Sequence, residues 1–260
     1  MKKKAMKELA FDAVIFDMDG VITKTAITHT AAWKKMFDEF LQQNAKAGGG
    51  AFQEFTQKDY LAYVDGKPRY KGVASFLESR NIKLPFGDPS DAPGTETVCA
   101  LGNQKNIAFN EVIARDGVEV YESTANLLNE LKAAGVKLGV ASSSKNCAPV
   151  LETVNLLDIF GARVDGVVSA ELGLHGKPEP DIFTTACEKL ESSPAKSIVV
   201  EDAVSGVQAG SKGKFGLTLG IARENNAAEL AQNGADHVVT DLEEVGGIEG
   251  LNQLFLKNKA

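Results

Sequence analysis

Apolar residues recur along the chain in two rhythms. Ala13-Val14-Ile15-Phe16 is a short unbroken apolar run, β-branched at its centre, the pattern of a parallel strand buried on both faces. From about Thr25 to Ile113 no such run recurs, and the spacing is helical. Ala32, Trp33, Met36, Phe37 and Phe40 share one face of THTAAWKKMFDEFL, and Val73, Phe76 and Leu77 share one face of YKGVASFLESRNI. AKAGGGAF and LPFGDPSDAPGTET are rich in Gly, Pro or Asp and predict exposed loops. After Val118 helix and strand patterns alternate. ESTANLLNELKAAG predicts a helix with Ser/Thr caps, with Leu127, Leu128, Leu131 and Ala134 inward and a stop at Gly135. VKLGVA (136–141), RVDGVVS (163–169), SIVV (197–200), FGLTLGI and DHVVT predict further strands. PDIFTTACEKL predicts a helix with Ile182, Phe183, Ala186 and Leu190 inward. Strands separated by helices of this length imply βαβ crossovers and a parallel sheet covered on both faces. The expected fold is α/β: a Rossmann-like parallel sheet core, residues 1–24 and 114–260, interrupted after its first strand by a mainly α-helical cap domain, residues 25–113.

Composition narrows the partners. The 260 residues, 43% hydrophobic and 24% charged, suffice for one sizeable core with an inserted module. A net charge of −7 argues against nucleic acid or an anionic membrane as the main partner. Positive charge toward an anionic ligand must then be local. No apolar stretch reaches bilayer-spanning length, and MKKKAMKELAF lacks the apolar region of a secretory signal. Cys99, Cys147 and Cys187 have no CxxC spacing, which suits reduced thiols in a cytoplasm. A cytoplasmic monomer is expected.

In open α/β sheets, ligand sites lie outside the carboxyl ends of the strands. Asp17 and Asp19 follow the first strand, with Gly20 able to turn the backbone sharply. Ser142, Ser143, Ser144, Lys145 and Asn146 follow VKLGVA; Lys177 opens the loop KPEP; Glu201 and Asp202 follow SIVV. Four carboxylates, a hydroxyl cluster and two ammonium groups suit phosphoryl transfer. A carboxylate can attack phosphorus and split one hard displacement into two easier ones. Charge opposes that attack on a phosphate dianion, so a divalent cation is needed, and Mg²⁺ prefers hard oxygen ligands. Lys177 would neutralise phosphate oxygens, Ser142 would donate to the transferring group, and a second carboxylate would move the proton. Taken singly, each feature has a plainer role. DxD shapes turns, a serine of SSSKN caps a helix, Lys177 is a solvated loop lysine, and Glu201-Asp202 sits at a helix N-terminus. Their order, one polar type per strand end, favours a shared reaction.

FDMDGV, VASSSKN, GKPEPDIF and VVEDAVSGVQAG resemble the four motifs of the haloacid-dehalogenase-like (HAD) phosphotransferases, and the insert resembles the cap of the β-phosphoglucomutase branch. The resemblance implies Asp17 as nucleophile and Asp19 as general acid/base, with the Asp19 backbone carbonyl on Mg²⁺. It implies Glu201 and Asp202 as the rest of the metal site, and Ser142 and Lys177 as holders of the transferring phosphate. SKN, HTAAW, GKPR and QKN are similar to segments of that branch. They imply that Ser144, Lys145, Asn146, His29, Arg69 and Lys105 bind the substrate or close the cap over it. A planar guanidinium at Arg69 suits bidentate phosphate binding. Lys24 and Ala203 depart from the usual acid and serine. The implied substrate is a phosphorylated sugar. The implied reaction is that of a mutase interconverting β-glucose 1-phosphate and glucose 6-phosphate, or alternatively that of a sugar-phosphate phosphatase.

Overall fold

The computed structural model describes residues 9–259; the basic stretch read for a secretory signal lies almost wholly outside them. Six strands form one parallel sheet: β1 (Ala13–Phe16), β2 (Lys137–Ala141), β3 (Ala162–Val164), β4 (Ser197–Glu201), β5 (Leu217–Ile221) and β6 (His237–Val239). Their order is β3-β2-β1-β4-β5-β6. β1 lies between β2 and β4, with Val14 opposite both Leu138 and Ile198. The chain runs outward from β1 first to one side and then to the other, which places a topological switch point at its carboxyl end.

The unbroken apolar run of β1 is explained by what covers it. Val14 and Phe16 pack with Leu127, Leu131, Leu251 and Phe255, while Ala13 and Ile15 pack with Ile182, Phe183 and Ala186. Among the described residues, all six strands lie outside residues 25–116, which form helices Thr25–Lys46, Arg69–Ser79 and Val98–Asp116 with loops and a short π-turn at Tyr60–Val64. This helical cap has its own apolar cluster around Trp33, Phe37, Phe55 and Phe76. The position-113 division made on sequence falls inside the last of these helices.

Two linkers join cap and core side by side. Lys24 N donates to Glu119 O at 2.8 Å, and Tyr121 N donates to Ile22 O at 3.0 Å. The Lys24 ammonium pairs with Glu119 at 2.7 Å, so the departure at Lys24 ties one linker to the other.

Three local expectations are corrected. RVDGVVS is strand only to Val164; Gly166–Glu171 is helix. Asp165 Oδ1 accepts from Val167 N at 2.9 Å and Val168 N at 3.0 Å, and this N-cap overrides the strand preference of the valine pair. Helix Glu122–Ala133 has no side-chain cap, because Thr124 Oγ1 donates instead to Val21 O at 2.7 Å. No serine caps helix Cys147–Thr153. Ser142 Oγ accepts from Ser144 N and Ser144 Oγ from Asn146 N, each at 3.1 Å, so the serines shape a turn.

Candidate active site

The carboxyl ends of β1, β2 and β4 converge on one cavity beneath the cap. Asp17, Asp19, Ser142, Glu201 and Asp202 line it from the core, and His29, Tyr60, Asp65, Arg69 and Lys105 from the cap. Lys177 stands behind it, fully buried. Its ammonium contacts Asp17 Oδ1 and lies 2.5 Å from Glu201 Oε1. Burial alone would lower its pKa, but the two carboxylates outweigh that and raise it. Asp17 is pushed well above the usual carboxylate range by burial, with the charges of Glu201 and Asp19 adding to it against the pull of Lys177. Asp202 is raised likewise, by burial first and then by Glu201, Asp65 and Asp17. A buried carboxylate group held by one ammonium lacks positive charge, and its hard oxygens fit a divalent cation. Both Glu201 oxygens are engaged, Oε1 by Lys177 and Oε2 by the Ala203 amide at 2.7 Å. Asp17, Asp202 and the Asp19 carbonyl are the freer donors.

Backbone geometry makes this approach possible. Gly20 adopts φ +86°, and a Cβ there would lie 1.8 Å from Asp202 Oδ2. A Cβ on Gly206 would lie 1.8 Å from Glu201 Oε1. Arg223 supports the Gly20 turn: Nε donates to Gly20 O at 3.1 Å, and Nη1 to Thr240 O at 3.1 Å and Asp241 Oδ2 at 2.8 Å. Its guanidinium stacks 3.7 Å from the ring centroid of Tyr121 in the second linker.

Asp19 faces the cap. Thr25 Oγ1 donates to its Oδ1, and His29 Nε2 lies 3.3 Å from the same atom. Burial works to raise the Asp19 pKa, but His29, the Thr25 hydroxyl and Lys105 together hold it below the usual value. His29 Nδ1 contacts Lys105 Nζ, and the ring stacks on Phe109 at 4.1 Å. Burial, then the Arg69 charge, lowers the Lys105 pKa well below normal. Trp33 is buried in the cap cluster with the Lys105 ammonium 4.9 Å over its ring.

The other end of the cavity is cationic. Arg69 Nη2 donates to Asn106 Oδ1 at 2.7 Å, and Asn146 Nδ2 donates to the same oxygen at 2.8 Å. Ser144 and Lys145 line this end as well. Every site residue chosen from sequence except Lys177 lines the cavity, and Lys177 touches two that do. His175 is exposed and pairs with Asp181 at 3.0 Å. Sequence reasoning missed Asn106, which joins Arg69 to Asn146, and the pair Asp65 and Tyr60. A carboxyl inside YVDGKPR was the available signal. Two serines press this cap segment onto the core: Ser143 Oγ donates to Gly66 O at 2.7 Å, and Ser205 Oγ to Asp65 O at 3.2 Å.

The family model described as haloacid dehalogenase-like hydrolase matches residues 11–213. The chain belongs to the haloacid dehalogenase-like hydrolase family. As a HAD-family member it is an enzyme of the phosphotransferase and hydrolase type. It is 46% identical over 237 residues to a β-phosphoglucomutase of Mycobacterium bovis, covering 90% of each chain. It is 34% identical over 220 residues to the β-phosphoglucomutase of Bacillus subtilis, covering 84% of this chain and 87% of that one. The crystal structure of a β-phosphoglucomutase from Clostridium difficile superposes with a TM-score of 0.75 at 25% identity, covering 95% of this chain and 98% of that one. Among the described residues, no helix of this HAD-family chain is long and apolar enough to cross a membrane.

Proposed function

We propose that the chain is a β-phosphoglucomutase, interconverting β-glucose 1-phosphate and glucose 6-phosphate through an aspartyl-phosphate on Asp17. One observation carries the reading: the cavity has two ends able to grip phosphate. The acid end, with Asp17, Lys177 and Ser142, suits the phosphoryl group in transfer. The Arg69–Asn106–Asn146 network with Lys145 and Ser144, at the other end of the same cavity, suits a second phosphate on the same sugar.

In this reading Lys177 orients Asp17 for attack on phosphorus and opposes the rise that burial imposes on its pKa, and Ser142 donates to the transferring group. Asp19, kept ionised by His29 and Thr25, takes the proton of the accepting sugar hydroxyl and returns one to the leaving oxygen in the reverse half. His29 and Lys105 set the position and charge of Asp19. Mg²⁺, when bound by Asp17, Asp202 and the Asp19 carbonyl with Glu201 adding charge behind them, supplies the positive charge that lets an anion approach a phosphate. The division into a core, residues 1–24 and 114–260, and a cap, residues 25–113, belongs to the same proposal, with the paired linkers as the hinge.

The test supplies β-glucose 1-phosphate, Mg²⁺ and a trace of the 1,6-bisphosphate, and follows glucose 6-phosphate and free phosphate separately. Glucose 6-phosphate without matching phosphate release is expected. Release of phosphate alone makes the enzyme a phosphatase. Asp17→Asn abolishes turnover, and Asp19→Ala lowers it more than it lowers calorimetric Mg²⁺ affinity.

A further inference from the structure

A second pocket, of about 300 Å³, opens between cap and core beside the cationic end of the cavity. Tyr70 and Phe86 stand on its cap side, with ring centroids 6.2 Å apart at 81°, and Leu174 and Ile182 on its core side. Phe86 is 56% exposed. Arg69, Lys71 and Lys145 also line the pocket, and no Asp or Glu does, in a chain carrying 35 acidic residues. None of the three cations has a carboxylate partner among the described residues. A polyhydroxylated ligand would find little here: of the three lining hydroxyls, that of Ser143 is already donated to Gly66 O and that of Tyr70 to Asn103 Oδ1, which leaves Ser169. Aromatic and aliphatic walls with unpaired cations instead complement an anion on an apolar body.

We infer that this pocket binds a small organic anion with a flat apolar body, of the aryl sulfonate or aryl carboxylate class. Arg69 and Lys145 line both cavities, so the occupant draws on cations that the proposed function assigns to the sugar phosphate. That competition rests on the proposed function; the binding itself does not.

Calorimetric titration of the full chain with naphthalene-2-sulfonate tests it, with methanesulfonate and 2-naphthol in parallel. One-to-one binding of naphthalene-2-sulfonate is expected, at least about tenfold tighter than either fragment. Lys71→Glu and Phe86→Ala should each weaken it by about fivefold or more, with melting temperature and turnover in the absence of probe unchanged. Equal affinity for methanesulfonate or for 2-naphthol, no binding, or indifference to both substitutions overturns the inference. In turnover, the probe should raise KM for the sugar phosphate and leave kcat unchanged. Binding with KM unmoved overturns the shared use of Arg69 and Lys145. A chain without mutase activity leaves the calorimetric result standing, so the two readings fail separately.

Discussion

Asp65 is a carboxyl among carboxyls. Burial raises its pKa to about 7, against the hydrogen bond from Tyr60 and with the Glu201 charge adding to the rise. Unfolded, the group titrates near 3.8, the ordinary value for an aspartate. Between those values the folded chain holds a proton that the unfolded chain has lost, so this group's contribution to stability falls as pH rises from about 4 to 7. Asp65→Asn removes that slope. Urea unfolding in metal-free buffer should show the variant more stable than the parent by on the order of 4 kcal/mol at pH 8, and by only about 1 kcal/mol at pH 4.5. A parent-like slope in the variant would assign the pH dependence elsewhere. Asp65 was not legible in sequence because its significance lies in neighbours brought from Tyr60 and Glu201. Asp17 and Lys177 were legible because each sits at a strand end or in a proline-bounded loop whose place in the sheet the apolar pattern already defines.

At the scale of elements, the apolar runs announced five of the six strands closely, since a strand covered on both faces has no alternative but continuous apolar residues. The misplaced one, RVDGVVS, failed where a single aspartate side chain captured two amides. Asn106 went unseen for a related reason: its partners Arg69 and Asn146 come from other elements, and no local pattern encodes that meeting. The cap segment around Gly66 rests on two serine hydroxyls, and the cavity beneath holds about 70 Å³, far below the roughly 300–1,000 Å³ of typical ligand sites. Substrate entry therefore requires the cap to lift, and closure requires the serines to re-engage. Ser143→Ala combined with Ser205→Ala should loosen closure and admit water. Under the proposed function, the ratio of phosphate released to sugar phosphate interconverted is expected to rise by about fivefold or more, two lost hydrogen bonds at roughly 0.5–1.5 kcal/mol each being worth about 1–3 kcal/mol together. An unchanged ratio would remove these serines from the closing contact.

Over the whole molecule, the cap buries an apolar cluster of its own, while Ala32 and Phe109 of the cap helices join that of the core. In the cap, the Phe37 and Phe76 rings lie 4.2 Å apart and the Phe55 and Phe76 rings 4.9 Å apart. Phe76→Ala should cost about 3–5 kcal/mol. Hydrogen exchange is expected to show the loss in helix Thr25–Lys46 well before β4, because the two clusters open as separate units. Equal loss in both would mean a single cooperative body. Arg223 works against such separation. One guanidinium reaches the turn after the first strand, the linker at Tyr121 and the chain at Thr240 and Asp241. A chain shortened to end before Thr240 would keep every group proposed to meet the phosphate, yet lose Leu251 and Phe255 from the cluster around β1 and strip this strut of two acceptors. Residues just past the last strand thus steady the turn on which the chemistry proposed for Asp17 would depend.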